Sequence, residues 1–261
     1  MNKNKAKTII EKALNNLIDS VEQEQSKALQ EYLSVMSRFH QYSFQNIMLI
    51  ASQKPEATKV AGFHAWRKLG RWVKKNEKGI AIIAPLILKK EVNKEEESLN
   101  EELFGFKVVY VFDIGQTDGG ELPSFAVAQG DPQIYTRKLE EYIDELHIEL
   151  NYEEGMQMQG YSVGGKIVIK KCLSSAEDFS VKVHELAHEL LHHIPNEKLC
   201  KKVMECEAEA IAFVVSKAIG LDTNTAFKDY IQLYKGNKEI LVKSLHRIQN
   251  TSHTILSKLF D

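Results

Sequence analysis

The chain has 261 residues, enough for one large domain or two ordinary ones. Its 34 basic and 36 acidic side chains leave a formal net charge of −2, so no global field marks a nucleic-acid binder, and 43% hydrophobic residues can build a core. No apolar run is long enough to span a bilayer, and three cysteines without a C-x-x-C pair argue against a disulfide framework or a thiolate zinc knot.

The N-terminus is basic, but the residues after it alternate apolar with polar. That is an amphipathic helix rather than a signal peptide, and it predicts a cytoplasmic protein. Ile9, Ile10, Ala13, Leu14, Leu17, Ile18 and Val21 recur at helical spacing, and Leu29, Leu33 and Met36 continue it in a second helix. Ser43 reads as the cap of a helix over 44–53, with Pro55 beyond its end. A short helix follows over 63–69, stopped by Gly70. Residues 71–73 and 80–84 read as strands around a turn at 76–79, where Asn76 tolerates the left-handed conformation. The charged run 89–102 reads as an exposed loop, and 106–112 as a strand.

Residues 115–132 are rich in Gly, Pro and small side chains, so a domain boundary is placed near Phe125. A helix over 134–146, a strand over 166–170 behind the turn Gly164-Gly165, and long helices complete the chain. The reading is α+β. A small mixed α/β domain spans residues 1–125, and a mostly helical domain with a small sheet spans 126–261.

Residues 176–194 form one predicted helix containing His184-Glu185-Leu186-Ala187-His188. Four residues along a helix turn about 400°, so the two histidines share a face and can share one zinc ion. Glu185 is then placed as the general base. A catalytic site needs a third protein ligand. Glu205 and Glu209 share a face of the next predicted helix; Glu205 is assigned to the metal and Glu209 to a hydrogen bond with a ligand histidine, the reverse remaining open. Glu207 is expected to face solvent or a basic partner, and His192 and His193 to be structural or surface residues. The strand 166–170 could offer its edge to an extended peptide; Tyr161 and Tyr230 are weak candidates for oxyanion stabilisation.

In the N-terminal half, Arg67, Lys68, Arg71, Lys74, Lys75 and Lys78 alternate with Phe63, His64, Trp66 and Trp72. Basic groups neutralise phosphates while flat rings stack on unpaired bases, which suits single-stranded nucleic acid. The competing reading is a solvated basic hairpin with core tryptophans. Tyr42 and Asn46 belong to another polar and aromatic cluster, which alone reads as a capped helix start.

Together the halves resemble the ArdC-type antirestriction proteins of plasmids and other mobile elements. The resemblance lies in Tyr42-Ser43-x-x-Asn46, Gly62-Phe63-x-x-Trp66-x-x-Leu69-Gly70-Arg71, Lys78-Gly79-Ile80 and Phe112-Asp113-Ile114-x-Gln116-Thr117. It continues in the H-E-x-x-H run, in Glu205-x-Glu207-Ala208-Glu209 and in Gly220-Leu221-Asp222-Thr223. It implies a single-stranded-DNA-binding N-terminal domain carrying Tyr42, Asn46, Trp66, Arg67, Lys68, Arg71, Trp72, Lys74, Lys75 and Lys78. It also implies a C-terminal zincin domain of the Spartan-like and ImmA/IrrE-like kind, with zinc on His184, His188 and Glu205 and a protein substrate. Two alternatives remain at this stage: a DNA-masking protein whose zinc is structural, and an ImmA-like peptidase that cleaves a regulator.

Overall fold

The computed structural model describes residues 3–22, 26–90, 100–120, 132–192, 199–221 and 238–261. The chain is α+β and forms two compact units. The first comprises Met1–Asn16 and Gln45–Leu122, the second Leu17–Phe44 and Pro123–Asp261. The sequence reading put all of residues 1–125 in one domain; in the structure, residues 17–44 belong with the C-terminal part. Phe125 itself lies outside the described residues, as do His193 and Tyr230. No described helix is long and apolar enough to cross a membrane.

In the first unit, β1 (Val60–Gly62), β3 (Ile80–Lys90) and β4 (Asn100–Asp113) form an antiparallel sheet with β4 in the centre. The hairpin is longer than the sequence predicts. Pairing continues past an irregularity at Leu86/Ile87 to Lys90 opposite Asn100, so both ends of the expected charged loop are strand, while 91–99 lie outside the described residues. The outer edge of β3 is sealed by side chains. Helix α3 (Phe44–Gln53) presents Asn46 and Gln53, about two turns apart. Asn46 donates to the Ile83 carbonyl at 2.9 Å and accepts from its N–H at 2.8 Å; Gln53 treats Ala81 the same way at 2.9 and 3.0 Å. Strand-edge groups that would otherwise invite another chain are thereby paired.

This unit also holds α4 (Phe63–Lys68), and β2 (Arg71–Val73) paired with β5 (Thr117–Gly119). Asn76, in the turn after β2, has φ 69°, the left-handed conformation expected of it. The junction after β4 is held by Asp113. Its carboxylate accepts from the N–H groups of Thr58 (2.8 Å), Lys59 (3.1 Å) and Gly115 (2.9 Å). Gln116 returns a bond to the Asp113 N–H at 2.9 Å and donates to Glu77 and to the Lys78 carbonyl. The Phe112-to-Thr117 motif is therefore a structural clasp.

In the second unit, α5 (Gln133–Glu145) leads into a sheet of β6 (Glu149–Glu153), β8 (Lys166–Lys170) and β7 (Gly160–Ser162). Strand β8 is central, parallel to β6 and antiparallel to β7. It has no free edge to offer a peptide, contrary to the sequence expectation; the outer strands are β6 and β7. Ile167, Val168 and Ile169 are fully buried beneath α6 (Ser175–Leu191), which packs on α7 (Lys201–Ala218). Helix α2 (Ser26–Arg38) and α8 (Lys238–Phe260) pack on α7 too, burying Leu29, Leu33 and Met36 of α2 and Leu241, Leu245 and Ile248 of α8. Helix α6 starts at a capping box, in which the Ser174 hydroxyl accepts from the Glu177 N–H and Glu177 accepts from that of Ser174. Buried Lys182 ties α6 to α5 through Glu140 and pairs with Asp178 one turn back on its own helix at 2.6 Å.

Candidate functional site

Helical spacing puts His184 and His188 one turn apart on α6, with Nε2 atoms 3.1 Å from each other. Across from them, α7 supplies Glu205, whose Oε2 lies 3.5 Å from His184 Nε2 and 3.7 Å from His188 Nε2. These three atoms form a triangle whose sides match one face of a metal tetrahedron: bonds of about 2.1 Å set ligand atoms about 3.4 Å apart. His184, His188 and Glu205 are the one group of three or more His, Cys, Asp or Glu side chains among the described residues with metal-holding geometry.

The outer nitrogens strengthen this reading. His184 Nδ1 lies 3.3 Å from Glu209 Oε2, the contact the sequence assigned to Glu209. His188 Nδ1 lies 2.8 Å from His192 Nδ1. Protons on both Nδ1 atoms leave two Nε2 lone pairs converging on one point, which a cation there relieves. Electrostatics agree. Burial alone lowers the His184 pKa, but hydrogen bonds with Glu205 and Glu209 and the charge of Glu185 outweigh it and lift the ring to about 9. The field that favours a proton on this ring also favours a metal ion. The Glu205 carboxyl is correspondingly lowered, chiefly by its bond with His184.

Glu185 lies on the sheet side of the site. Burial pushes its carboxyl up to about 6; the His184 charge and a hydrogen bond from Ser162 oppose this, and the Glu205 and Glu189 carboxylates add to it. A carboxyl titrating near neutrality is suited to general base work. Its position depends on close packing of β7 on α6. A Cβ at Gly160 would sit 2.7 Å from Val181 Cγ1 and 3.1 Å from both Cγ and Oε1 of Glu185, so only glycine fits. Glu189 anchors the turn after this strand by accepting from the N–H groups of Gly164 (2.9 Å) and Gly165 (2.7 Å), whose φ values of 72° and 84° favour glycine. Tyr161 is half-buried, paired with Val168.

Glu207 meets a basic partner, one of the two expectations for it, and not solvent. It is fully buried and held by Arg247 of α8 through Nε at 3.1 and 3.0 Å and through the terminal nitrogen. Burial raises its carboxyl, but bonds from His192, Arg247 and Ser244 outweigh this and lower it.

In the first unit the expected nucleic-acid residues divide. Trp66 is 2% exposed and donates its indole N–H to the Phe112 carbonyl at 2.8 Å, so it is core and cannot stack on a base. Asn46 is buried on β3. Arg71 is spent on β5 and the residue after it, donating to the Thr117 hydroxyl (2.8 Å) and to the Thr117, Gly119 and Gly120 carbonyls. Lys74 donates to the Gly115 carbonyl at 3.1 Å. Trp72, by contrast, is 57% exposed, and Arg67, Lys68, Lys75 and Lys78 are exposed. Tyr42 is half-buried in the second unit, edge-on to Phe39. The sequence reading missed Phe106 and Tyr110, both exposed and on one face of β4; their period-two spacing was the available signal.

Fold and site together define a two-unit α+β protein with a His-His-Glu metal-type constellation on two packed helices. Residues 2–112 match the family described as the N-terminal domain of anti-restriction factor ArdC. The metal-free crystal structure of the antirestriction ArdC protein from the R388 plasmid is similar across 97% of this chain and 98% of its own, with a TM-score of 0.57 and 16% identity. The Mn(II)-bound structure of that protein matches with a TM-score of 0.55, also at 16% identity, over 96% and 98% of the two chains. An uncharacterized protein of Bacillus anthracis is 23% identical over 98% of this chain and 51% of its own length. The chain thus spans about half of that curated relative. Residues 2–112 thus match the ArdC N-terminal domain family, and the chain shares the fold of the R388 antirestriction protein.

Proposed function

We propose that this protein is a cytoplasmic antirestriction factor that binds single-stranded DNA through its first unit and hydrolyses peptide bonds in a protein substrate through its second. The observation that carries the peptidase reading is the triangle of His184, His188 and Glu205 donor atoms with buried Glu185 beside it. The Mn(II)-bound form of the R388 protein supports a metal in this fold, and two imidazoles with one carboxylate suit zinc. When bound, the metal supplies a Lewis acid that acidifies water and polarises a scissile carbonyl.

The chain's own groups do the rest. The Glu185 carboxylate takes a proton from water and passes it to the leaving amine. Outer strand β7 borders Glu185 through Ser162 and can pair with an extended peptide as an added strand. Arg67, Lys68, Lys75 and Lys78 offer phosphate contacts, and Trp72, Phe63, Phe106 and Tyr110 offer stacking rings.

The exposed rings and charges of the first unit also favour a second reading, in which DNA masking alone gives protection and the metal site is structural. The test uses E185Q with zinc and single-stranded DNA present. Under the first reading, wild type cleaves a DNA-bound host protein and E185Q does not, and E185Q loses protection of incoming DNA in cells. Full protection by a folded E185Q protein leaves masking as the function.

A further inference from the structure

His184, His188 and His192 recur every four residues on α6, with successive ring centroids 4.9 Å apart. His192 stands about 6 Å further along the axis than His188, beyond reach of an ion held by the first two. It is nevertheless almost completely buried, with 2% of its side chain exposed, and it bridges a metal ligand to a buried carboxylate. Its Nδ1 lies 2.8 Å from His188 Nδ1, and its Nε2 lies 3.3 Å from Glu207 Oε2. Arg247 closes the chain on Glu207. Three helices, α6, α7 and α8, each contribute a member.

We propose that His192 and Glu207 are positioning residues that fix the tautomer and orientation of His188, so that its Nε2 lone pair faces the metal. This rests on the metal-site reading above.

A carboxylate accepts and cannot donate, so His192 must carry its proton on Nε2. In the neutral imidazole Nδ1 is then a lone pair and takes the Nδ1 proton of His188. That leaves His188 Nε2 unprotonated, on the side where His184 Nε2 and Glu205 converge. Arg247 donates to both oxygens of Glu207 and holds it in place, so the side of Glu207 facing His192 accepts.

A purely structural role accounts poorly for this arrangement. Burying a Glu–Arg pair costs desolvation that its attraction only roughly offsets, so stability alone is a weak reason to retain it. The pair ends on a group that needs orienting. The other ligand shows the same device in short form, with His184 Nδ1 held directly by Glu209. From His188 Nδ1 the connection to a carboxylate of α7 runs through His192 to Glu207.

The test compares zinc affinity, by chelator competition, of wild type, His192→Leu and His192→Gln. Leucine removes both hydrogen-bonding atoms. Glutamine restores an acceptor and a donor in sequence. The expected result is affinity about 10–100-fold weaker in His192→Leu and largely recovered in His192→Gln, with little change in the metal-free melting temperature. Equal affinity in wild type and His192→Leu, or no recovery with glutamine, overturns the relay. A wild type that binds no zinc removes the metal-site reading instead.

Nitrogen-15 NMR of the metal-free wild type reads the relay without any variant. Protons on His188 Nδ1 and His192 Nε2 support it, and the opposite tautomers overturn it even if His192→Leu fails to fold.

Discussion

In the second unit, the histidines and carboxylates that stand out in the sequence turn toward one another from packed helices. In the first unit, three of the residues that stand out turn inward to hold backbone: Trp66 on Phe112, Asn46 on Ile83, Arg71 on Thr117. The difference reflects geometry. A metal site needs side chains that converge, and a helix imposes convergence at fixed spacing. A nucleic-acid surface needs side chains that diverge into solvent, and no spacing in the sequence separates an outward tryptophan from an inward one. A motif in the first unit therefore marks a structural joint as readily as a contact, and mutations there must be read against stability first.

The largest effect is expected at the convergent site. E185Q replaces a buried carboxyl with an amide of the same shape and leaves His184, His188 and Glu205 intact. Peptide hydrolysis should fall about 10²–10⁴-fold while zinc content and single-stranded-DNA affinity stay at wild-type values. Metal analysis beside a cleavage assay checks this. Loss of zinc together with activity would mean that Glu185 supports the site rather than acting as its base.

Trp66→Ala tests the inward half of the first unit. Removing a ring that is 2% exposed, with its bond to Phe112, should cost about 3–5 kcal/mol of stability. Urea denaturation followed by fluorescence suits this, because Trp66 and Trp72 are the two tryptophans of the chain and Trp72 remains as the reporter. An unchanged midpoint with reduced DNA affinity would return Trp66 to the binding surface.

These cases show where the sequence was legible. Local rules sufficed for α3, α4, the turn at Asn76, strand β8 and the capped start of α6, since each is set by its own few residues. They also sufficed to bring His184, His188, Glu205 and Glu209 near one another, because two helices with carboxylates and imidazoles at four-residue spacing have few ways to meet. Non-local facts were not available. Residues 17–44 join a unit whose remainder starts beyond residue 122, which no local pattern encodes. Strand β6 is mostly exposed and shows no alternation to betray it. Glu207 is buried because Arg247, 40 residues on, neutralises it, and His192 gains a role only through that carboxylate.

The second unit should also be the acid-sensitive one. His40 is buried against Phe260 and His253, and its Nδ1 has no hydrogen-bond partner among the described residues. Burial, then the His253 charge, lower its pKa from the usual 6.5 to about 4. The unfolded chain therefore binds this proton first. The stabilising contribution is complete above pH about 6.5, declines as pH falls toward 4, and changes no further below it; its ceiling is about 3 kcal/mol. His40→Phe should flatten that limb. Far-UV circular dichroism follows the second unit's helices, while tryptophan fluorescence follows the first unit, so circular dichroism should shift in the variant and fluorescence should not. An unaltered circular dichroism profile would assign the acid limb to other groups.

The smallest effect is the one that decides whether the outward half of the first unit is a binding surface at all. Trp72 is 57% exposed and lies on β2 opposite Asp118. Trp72→Ala should leave stability nearly unchanged and weaken single-stranded-DNA binding by about 1–3 kcal/mol, the range for one base stacked on one ring. Removing the charges of Arg67, Lys68 and Lys75 together should act differently. Affinity falls for every sequence, and the slope of log affinity against log salt flattens by about 2, since phosphate neutralisation on single strands contributes about 0.7 per contact. Fluorescence anisotropy at several salt concentrations separates the two. Stacking loss lowers affinity without changing the slope, whereas charge loss changes both. If Trp72→Ala and the triple variant bind as wild type does, the exposed rings of Phe106 and Tyr110 on β4 become the remaining surface to test.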